Sequence, residues 1–180
     1  MEQLRNYVAE RTLKDGTMVA VRAVRPDDGP KIHKAFKGLS PDTVYSRFFG
    51  HKSDVSDAEL SHITGVDFDR DVALLVTIGK GEDEMVIGGA SYFAIDPAHP
   101  LNSADLAFTV EEEYQGLGVA SDLLRRLIEI ARQKGVARLE ADVLADNQPM
   151  LAVFRHADAP VRLRREDDII HVTLALDATK

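Results

Sequence analysis

The sequence predicts an α/β (α+β) fold: a mixed, mostly antiparallel central sheet of six to seven strands flanked by helices, within one domain covering residues 1–180. Three observations carry that expectation. Apolar, β-rich stretches bounded by turn residues recur from Met18 to Leu176. Between them lie segments whose apolar residues recur at helical spacing. One strand–helix–strand unit, from Ala104 through Val143, stands apart from the hairpin-like remainder.

Met18 to Val24 reads as a first strand, introduced by the turn residues Lys14-Asp15-Gly16. Pro26-Asp27-Asp28 marks a helix start, with Ile32, Ala35, Phe36 and Leu39 on one stripe. Ser40-Pro41-Asp42 opens a second helix through about Phe49, and Ser56-Asp57-Ala58-Glu59 is a capping-box pattern that opens a third. Val72 to Ile78 and Met85 to Ile95 are strands joined by the hairpin connection Gly79-Lys80-Gly81-Glu82-Asp83. A strand from Ala104 to Val110 leads into a long amphipathic helix. Its stripe is Ala120, Leu123, Leu124, Leu127, Ile128 and Ala131, with Asp122, Arg125, Arg126, Glu129 and Lys134 elsewhere and Gly135 as the stop. Leu139, Ala141 and Val143 then alternate with charged residues at strand period. A short helix over Pro149 to His156 and two strands, Val161 to Arg165 and Ile169 to Leu176, close the chain.

Bulk properties exclude several function classes. Of the 180 residues, 44% are hydrophobic and 29% charged, and no apolar run approaches the roughly 20 residues that span a bilayer. Met1 to Glu10 is mixed and polar, unlike a signal peptide. The formal charge of -8 argues against nucleic-acid and anionic-membrane partners. With no cysteine there is no disulfide, thiolate metal site or cysteine nucleophile, and a cytoplasmic location is expected. The six histidines show no His-x-x-x-His spacing, no Gly-x-Ser-x-Gly elbow occurs, and no metal is expected. Arg162, Arg164 and Arg165 read as a solvated strand face.

The chemistry concentrates in Glu113-Tyr114-Gln115-Gly116-Leu117-Gly118-Val119-Ala120-Ser121, between a strand and a helix. The first backbone N–H groups of a helix lack intrahelical partners and favour an anion. Gly116 and Gly118 let a bulky group approach the backbone. Turn geometry alone would also account for the glycines. A P-loop is ruled out because Val119-Ala120 stands where Lys-Ser or Lys-Thr is needed. A dinucleotide fingerprint is only loosely matched by Ser121, with Glu140 and Asp142 as its acids.

Gln115-x-x-Gly118-x-Ala120 resembles the acyl-coenzyme A signature of the GNAT N-acetyltransferase superfamily, and the resemblance covers nearly the whole chain. Asp15-Gly16-Thr17, Val21-Arg22-Ala23-Val24-Arg25-Pro26-Asp27-Asp28, Leu39-Ser40-Pro41, Arg47-Phe48-Phe49 and Asp67-Phe68-Asp69-Arg70 are similar to the catalytic domain of bacterial Pat-type protein-lysine acetyltransferases. In some of those the domain is fused to a cyclic-nucleotide-binding or acyl-CoA-synthetase-like domain, for which this chain has no room. The resemblance implies acetyl-CoA as acyl donor. Phe108, Thr109 and Val110 would lie beside the pantetheine arm. Gln115, Gly116, Leu117, Gly118, Val119, Ala120 and Ser121 would hold the pyrophosphate, and Asn147 would hydrogen-bond the donor from across the cleft. Asn147 also reads as a helix cap, and Phe108 and Val110 as core residues.

The resemblance makes Asp105 the candidate base, because Ala104-Asp105-Leu106-Ala107-Phe108 aligns where Pat-type enzymes carry a glutamate. A lysine of pKa about 10.4 is neutral about once in 2,500 molecules at pH 7, a handicap of roughly 4.6 kcal/mol. A carboxylate that takes the proton removes it. Glu111, Glu112 and Glu113 are alternative carboxylates, and Tyr114 reads as packing. Where the family often has a tyrosine to protonate the thiolate stands Phe154, and its Gly-Phe appears as Asp158-Ala159. The expected function is acetyl transfer to a primary amine, a lysine of a protein. The alternatives are a small-molecule amine as acceptor, or a non-catalytic acyl-CoA sensor.

Overall fold

The computed structural model describes residues 2–39 and 55–176, so the helix expected from Ser40 to Phe49 lies outside the described residues. A four-residue helix, α1 (Glu2–Arg5), precedes β1 (Val8–Thr12) and β2 (Met18–Ala23). Two helices follow, α2 (Gly29–Lys37) and α3 (Asp57–Thr64), then β3 (Val72–Ile78), β4 (Met85–Ala94) and β5 (Ala104–Val110). The long helix α4 (Val119–Lys134) leads to β6 (Arg138–Leu144), α5 (Gln148–Arg155), β7 (Val161–Glu166) and β8 (Ile169–Ala175).

The strands form one eight-stranded sheet in the order β1-β2-β3-β4-β5-β6-β8-β7. Every neighbouring pair is antiparallel except β5 with β6. The expected mostly antiparallel sheet is present, with one strand more than the six to seven expected. The addition is β1, an edge strand whose Val-Ala-Glu-Arg-Thr sequence is mostly exposed and carries no apolar alternation.

β3 is buried along nearly its whole length, so it needs cover on both faces. α4 packs against β3, β4 and β5 on one side, while α2 packs against β4 and against α3. Leu123, Leu127 and Ala131 of α4 are completely buried, and Leu139 and Leu174 meet the same core. Gly135, at φ +84, ends α4 in the left-handed conformation with its N–H on the Ala131 and Arg132 carbonyls. α3 begins with the expected capping box: Glu59 N–H donates to Ser56 Oγ at 3.1 Å and Ser56 N–H to Glu59 Oε1 at 3.3 Å.

Two buried ion networks were not readable as such. Arg22 grips Asp28 through two hydrogen bonds of 2.7 and 2.8 Å and also reaches Glu84 at 2.8 Å. Lys31 adds a further contact to Glu84 at 2.8 Å. Asp28 therefore stands at the start of α2 without capping it, because its carboxylate serves Arg22 and the Arg25 N–H. On α4, Asp122 and Arg126 are buried although both fall off the apolar stripe. β1 and the residues before it cover that side: Arg126 donates to Tyr7 Oη at 2.6 Å and Arg11 lies 3.9 Å from Asp122. Among the described residues no helix is long and apolar enough to cross a membrane.

Candidate active site

β5 and β6 are paired only at Ala104 with Leu139 and Asp105 with Glu140. Both strands run on, to Val110 and Leu144, without further pairing, so the sheet opens into a wedge. Hydrogen bonds at the two ends of β5, Ile95 N–H to the Ser103 carbonyl and Glu111 N–H to the Ile87 carbonyl, fix which residues bond to β4. By strand alternation the odd-numbered backbones face β4, and those of Leu106, Phe108 and Val110 face the wedge. Thr109 turns its carbonyl toward β4, 2.9 Å from where a Cβ at Gly88 would stand.

The wedge is part of a cleft of about 910 Å³. Phe108, Thr109, Val110, Gln115, Gly116, Gly118, Val119, Ala120, Ser121, Asn147 and Asp105 all line it. Of the residues expected at the site, Leu117 alone is absent from the walls; it is half-buried against the core and its carbonyl accepts from Lys14 N–H at 3.5 Å.

The glycine turn caps one end. Gly118 is the residue before α4 and takes φ +93, and Gly116 takes φ +79. Such backbones suit glycine because an L side chain there meets its own carbonyl. A Cβ at Gly116 would meet nothing within 4 Å, so the surface of the turn is open. The first α4 bond of this turn runs from Asp122 N–H to the Gly118 carbonyl, which leaves the N–H groups of Val119, Ala120 and Ser121 without helical partners. The Gln115 side chain donates to the Val110 carbonyl at 2.9 Å and ties the turn to the end of β5.

Across the wedge, Asn147 caps α5 by accepting from Met150 N–H at 3.3 Å. Phe154 is buried and meets Phe108 edge-on, ring centres 5.9 Å apart. Phe154 thus gives this part of the cleft an apolar ring with no proton to donate. His62 of α3 stacks on Phe93 of β4 at 4.4 Å, lining the cleft on the side of α3; neither was expected at the site.

Asp105 is exposed and sits where the wedge begins to open, in register with Glu140. It also lines a second cavity of about 420 Å³, with Glu140, Asp142, Arg162, Arg164 and His171. His171 is held between Asp142 and Glu166, the latter at 3.0 Å, and these two carboxylates raise its pKa. Glu111 is half-buried in the cleft wall, and burial, with Glu113 nearby, raises its carboxyl. Glu112 and Glu113 are exposed, and Tyr114 packs against the core.

Residues 41–158 match the sequence model of the Acetyltransferase (GNAT) family. The chain belongs to that family. It is an acetyl-CoA-dependent acyltransferase. The GNAT domain of the S. lividans PAT superposes with a TM-score of 0.84 at 30% identity, covering 94% of this chain and 97% of that one. Acetyltransferase Pat of Mycolicibacterium smegmatis is 31% identical over 142 residues, which is 79% of this chain and 41% of the relative. The alignment thus takes in less than half the length of that protein. An acetyltransferase of Pseudomonas aeruginosa is 28% identical over 139 residues, 77% of this chain and 73% of its own.

Proposed function

We propose that this GNAT acetyltransferase, as one domain spanning residues 1–180, moves the acetyl group of acetyl-CoA to the side chain of a lysine in a protein. One observation carries the reading. The unpaired wedge of β5 and β6 is bounded by a glycine turn with free helix amides at one end and by the Asp105 carboxylate at its apex. The likeness to Pat proteins supports a protein lysine as acceptor. So does the second cavity that opens at Asp105, which gives an extended acceptor room beside the cleft.

In this reading the N–H groups of Gly116 and of Gly118, Val119, Ala120 and Ser121 bind the pyrophosphate. Phe108 and Val110 offer wedge-facing backbone groups to the pantetheine arm, with Thr109 beside it. Asn147 bonds the donor from the opposite wall. Asp105 takes a proton from the acceptor ammonium, and the freed amine attacks the thioester carbon. A C–N bond forms, a wedge-facing strand N–H steadies the oxyanion, the nitrogen gives its second proton to solvent water, and the C–S bond breaks. Sulfur leaves as thiolate and is protonated by water, since Phe154 has no proton to give.

Replacing Asp105 by Asn tests the assignment. Loss of a general base lowers kcat about 10²- to 10⁴-fold and leaves the Kd for acetyl-CoA unchanged. The residual rate should then rise about tenfold per pH unit, following the free-amine fraction. A D105N enzyme with the wild-type rate and pH profile removes Asp105 from the mechanism.

A further inference from the structure

The acetyl-CoA site has to hold phosphates in a chain of net charge -8, with Glu59, Asp105, Glu111 and Asp142 in the cleft walls. A helix N-terminus supplies only about half an elementary charge. Among the described residues that line the cleft, Lys14 is the one lysine or arginine. Among the described residues it makes no ion pair. Its neighbour Asp15 is occupied in closing the β1–β2 turn, accepting from Thr17 N–H at 3.0 Å.

The hairpin that carries Lys14 is fastened to the start of α4. Arg11 lies 3.9 Å from Asp122, and Lys14 N–H reaches the Leu117 carbonyl at 3.5 Å. The Lys14 side chain follows the same direction: its Cε lies 3.7 Å from where a Cβ at Gly118 would stand. The side chain therefore runs along the glycine turn, and Lys14 shares the cleft wall with Gly116 and Gly118. Lys14 lies outside residues 41–158, the part that the family's sequence model matches.

We propose that Lys14 is a phosphate-binding residue of the acetyl-CoA site, delivered by the β1–β2 hairpin. This rests on the acetyl-CoA reading above. A lysine suits the task as a mobile point charge with three donors on a flexible stem.

Binding of acetyl-CoA, 3′-dephospho-acetyl-CoA and S-acetylpantetheine is measured by calorimetry for wild type, K14A and K14E. Thermal melts check that the variants fold. K14A should weaken acetyl-CoA about tenfold and K14E more, with a shallower salt dependence in both, while S-acetylpantetheine binds all three proteins alike. Equal loss with the dephospho compound assigns Lys14 to the pyrophosphate; loss confined to acetyl-CoA assigns it to the 3′-phosphate. Acetyl-CoA bound equally by all three proteins overturns the proposal. So does an equal loss for S-acetylpantetheine, which would make Lys14 a wall of the pocket. Wild type that fails to bind acetyl-CoA would overturn the cofactor reading itself, and this proposal with it.

Discussion

Gly118→Ala separates the two demands that the glycine turn meets. At φ +93 an alanine costs about 1–2 kcal/mol of stability, because its Cβ crowds the following carbonyl. Sterics in the free protein add little, since the nearest atom to the new methyl would be Lys14 Cε at an ordinary 3.7 Å. For a chain of this size that cost lowers Tm by about 2–8 °C. Gly135→Ala is the matched control: it is at the other end of α4, at φ +84, with nothing within 4 Å of a new Cβ and no part in the cleft. Both variants should show similar losses of Tm. Only Gly118→Ala adds a methyl to the cleft wall, beside Lys14 Cε, where it crowds a phosphate held by the turn. Losing one hydrogen bond to a charged phosphate is worth about 1.5–3 kcal/mol, so its Kd for acetyl-CoA should rise about ten- to hundredfold. Differential scanning fluorimetry and calorimetry give both numbers. Unchanged acetyl-CoA affinity in Gly118→Ala, or an equal loss in Gly135→Ala, would refute the assignment of the turn.

The buried networks give further outcomes. The Arg22 hydrogen bonds hold the Glu84 carboxyl down at about 2, below its usual 4.5, despite burial. Its contribution is therefore present above pH 4.5 and is lost as pH falls toward 2; urea midpoints of wild type should drop over that window and those of Glu84→Gln should drop less. Asp122→Ala leaves Arg126 buried without its carboxylate and should cost about 3–5 kcal/mol in chemical denaturation. Hydrogen bonds that the protonated His171 ring donates to Asp142 and Glu166 raise its pKa, so what this pairing contributes is full below about 6.5 and fades as pH rises through the raised value. Titration by NMR should place His171 above 6.5, and Asp142→Asn should bring it down.

Much of this architecture is readable from sequence where a local signal exists. Strands such as Val72–Ile78 announce themselves by composition, and the Ser56–Glu59 box and Gly135 mark helix ends through their own chemistry. β1 has no such signal; it exists because β2 offers it a pairing edge, with Val8 opposite Arg22. Missing it makes Asp122 and Arg126 look like solvent-facing charges, when β1 and Tyr7 bury them. The same holds at the site. Gly116 and Gly118 are legible because positive φ selects glycine. Lys14 and His171 are not, because each owes its position to a partner distant in the chain, Leu117 for one and Asp142 for the other. Asn147 is legible in part: its capping bond follows from the residues beside it, whereas its place in the cleft wall follows from the fold.

Acetylation of protein lysines from acetyl-CoA is open to a direct labelling experiment. The protein is incubated with isotopically labelled acetyl-CoA and a chemically deacetylated protein extract, and acetyl-lysine is mapped by mass spectrometry beside a D105N control. Labelled acetyl-lysine should depend on the enzyme and fall to near the background in the variant. Tight binding of acetyl-CoA with no labelled lysine at any site would contradict protein-lysine acetylation.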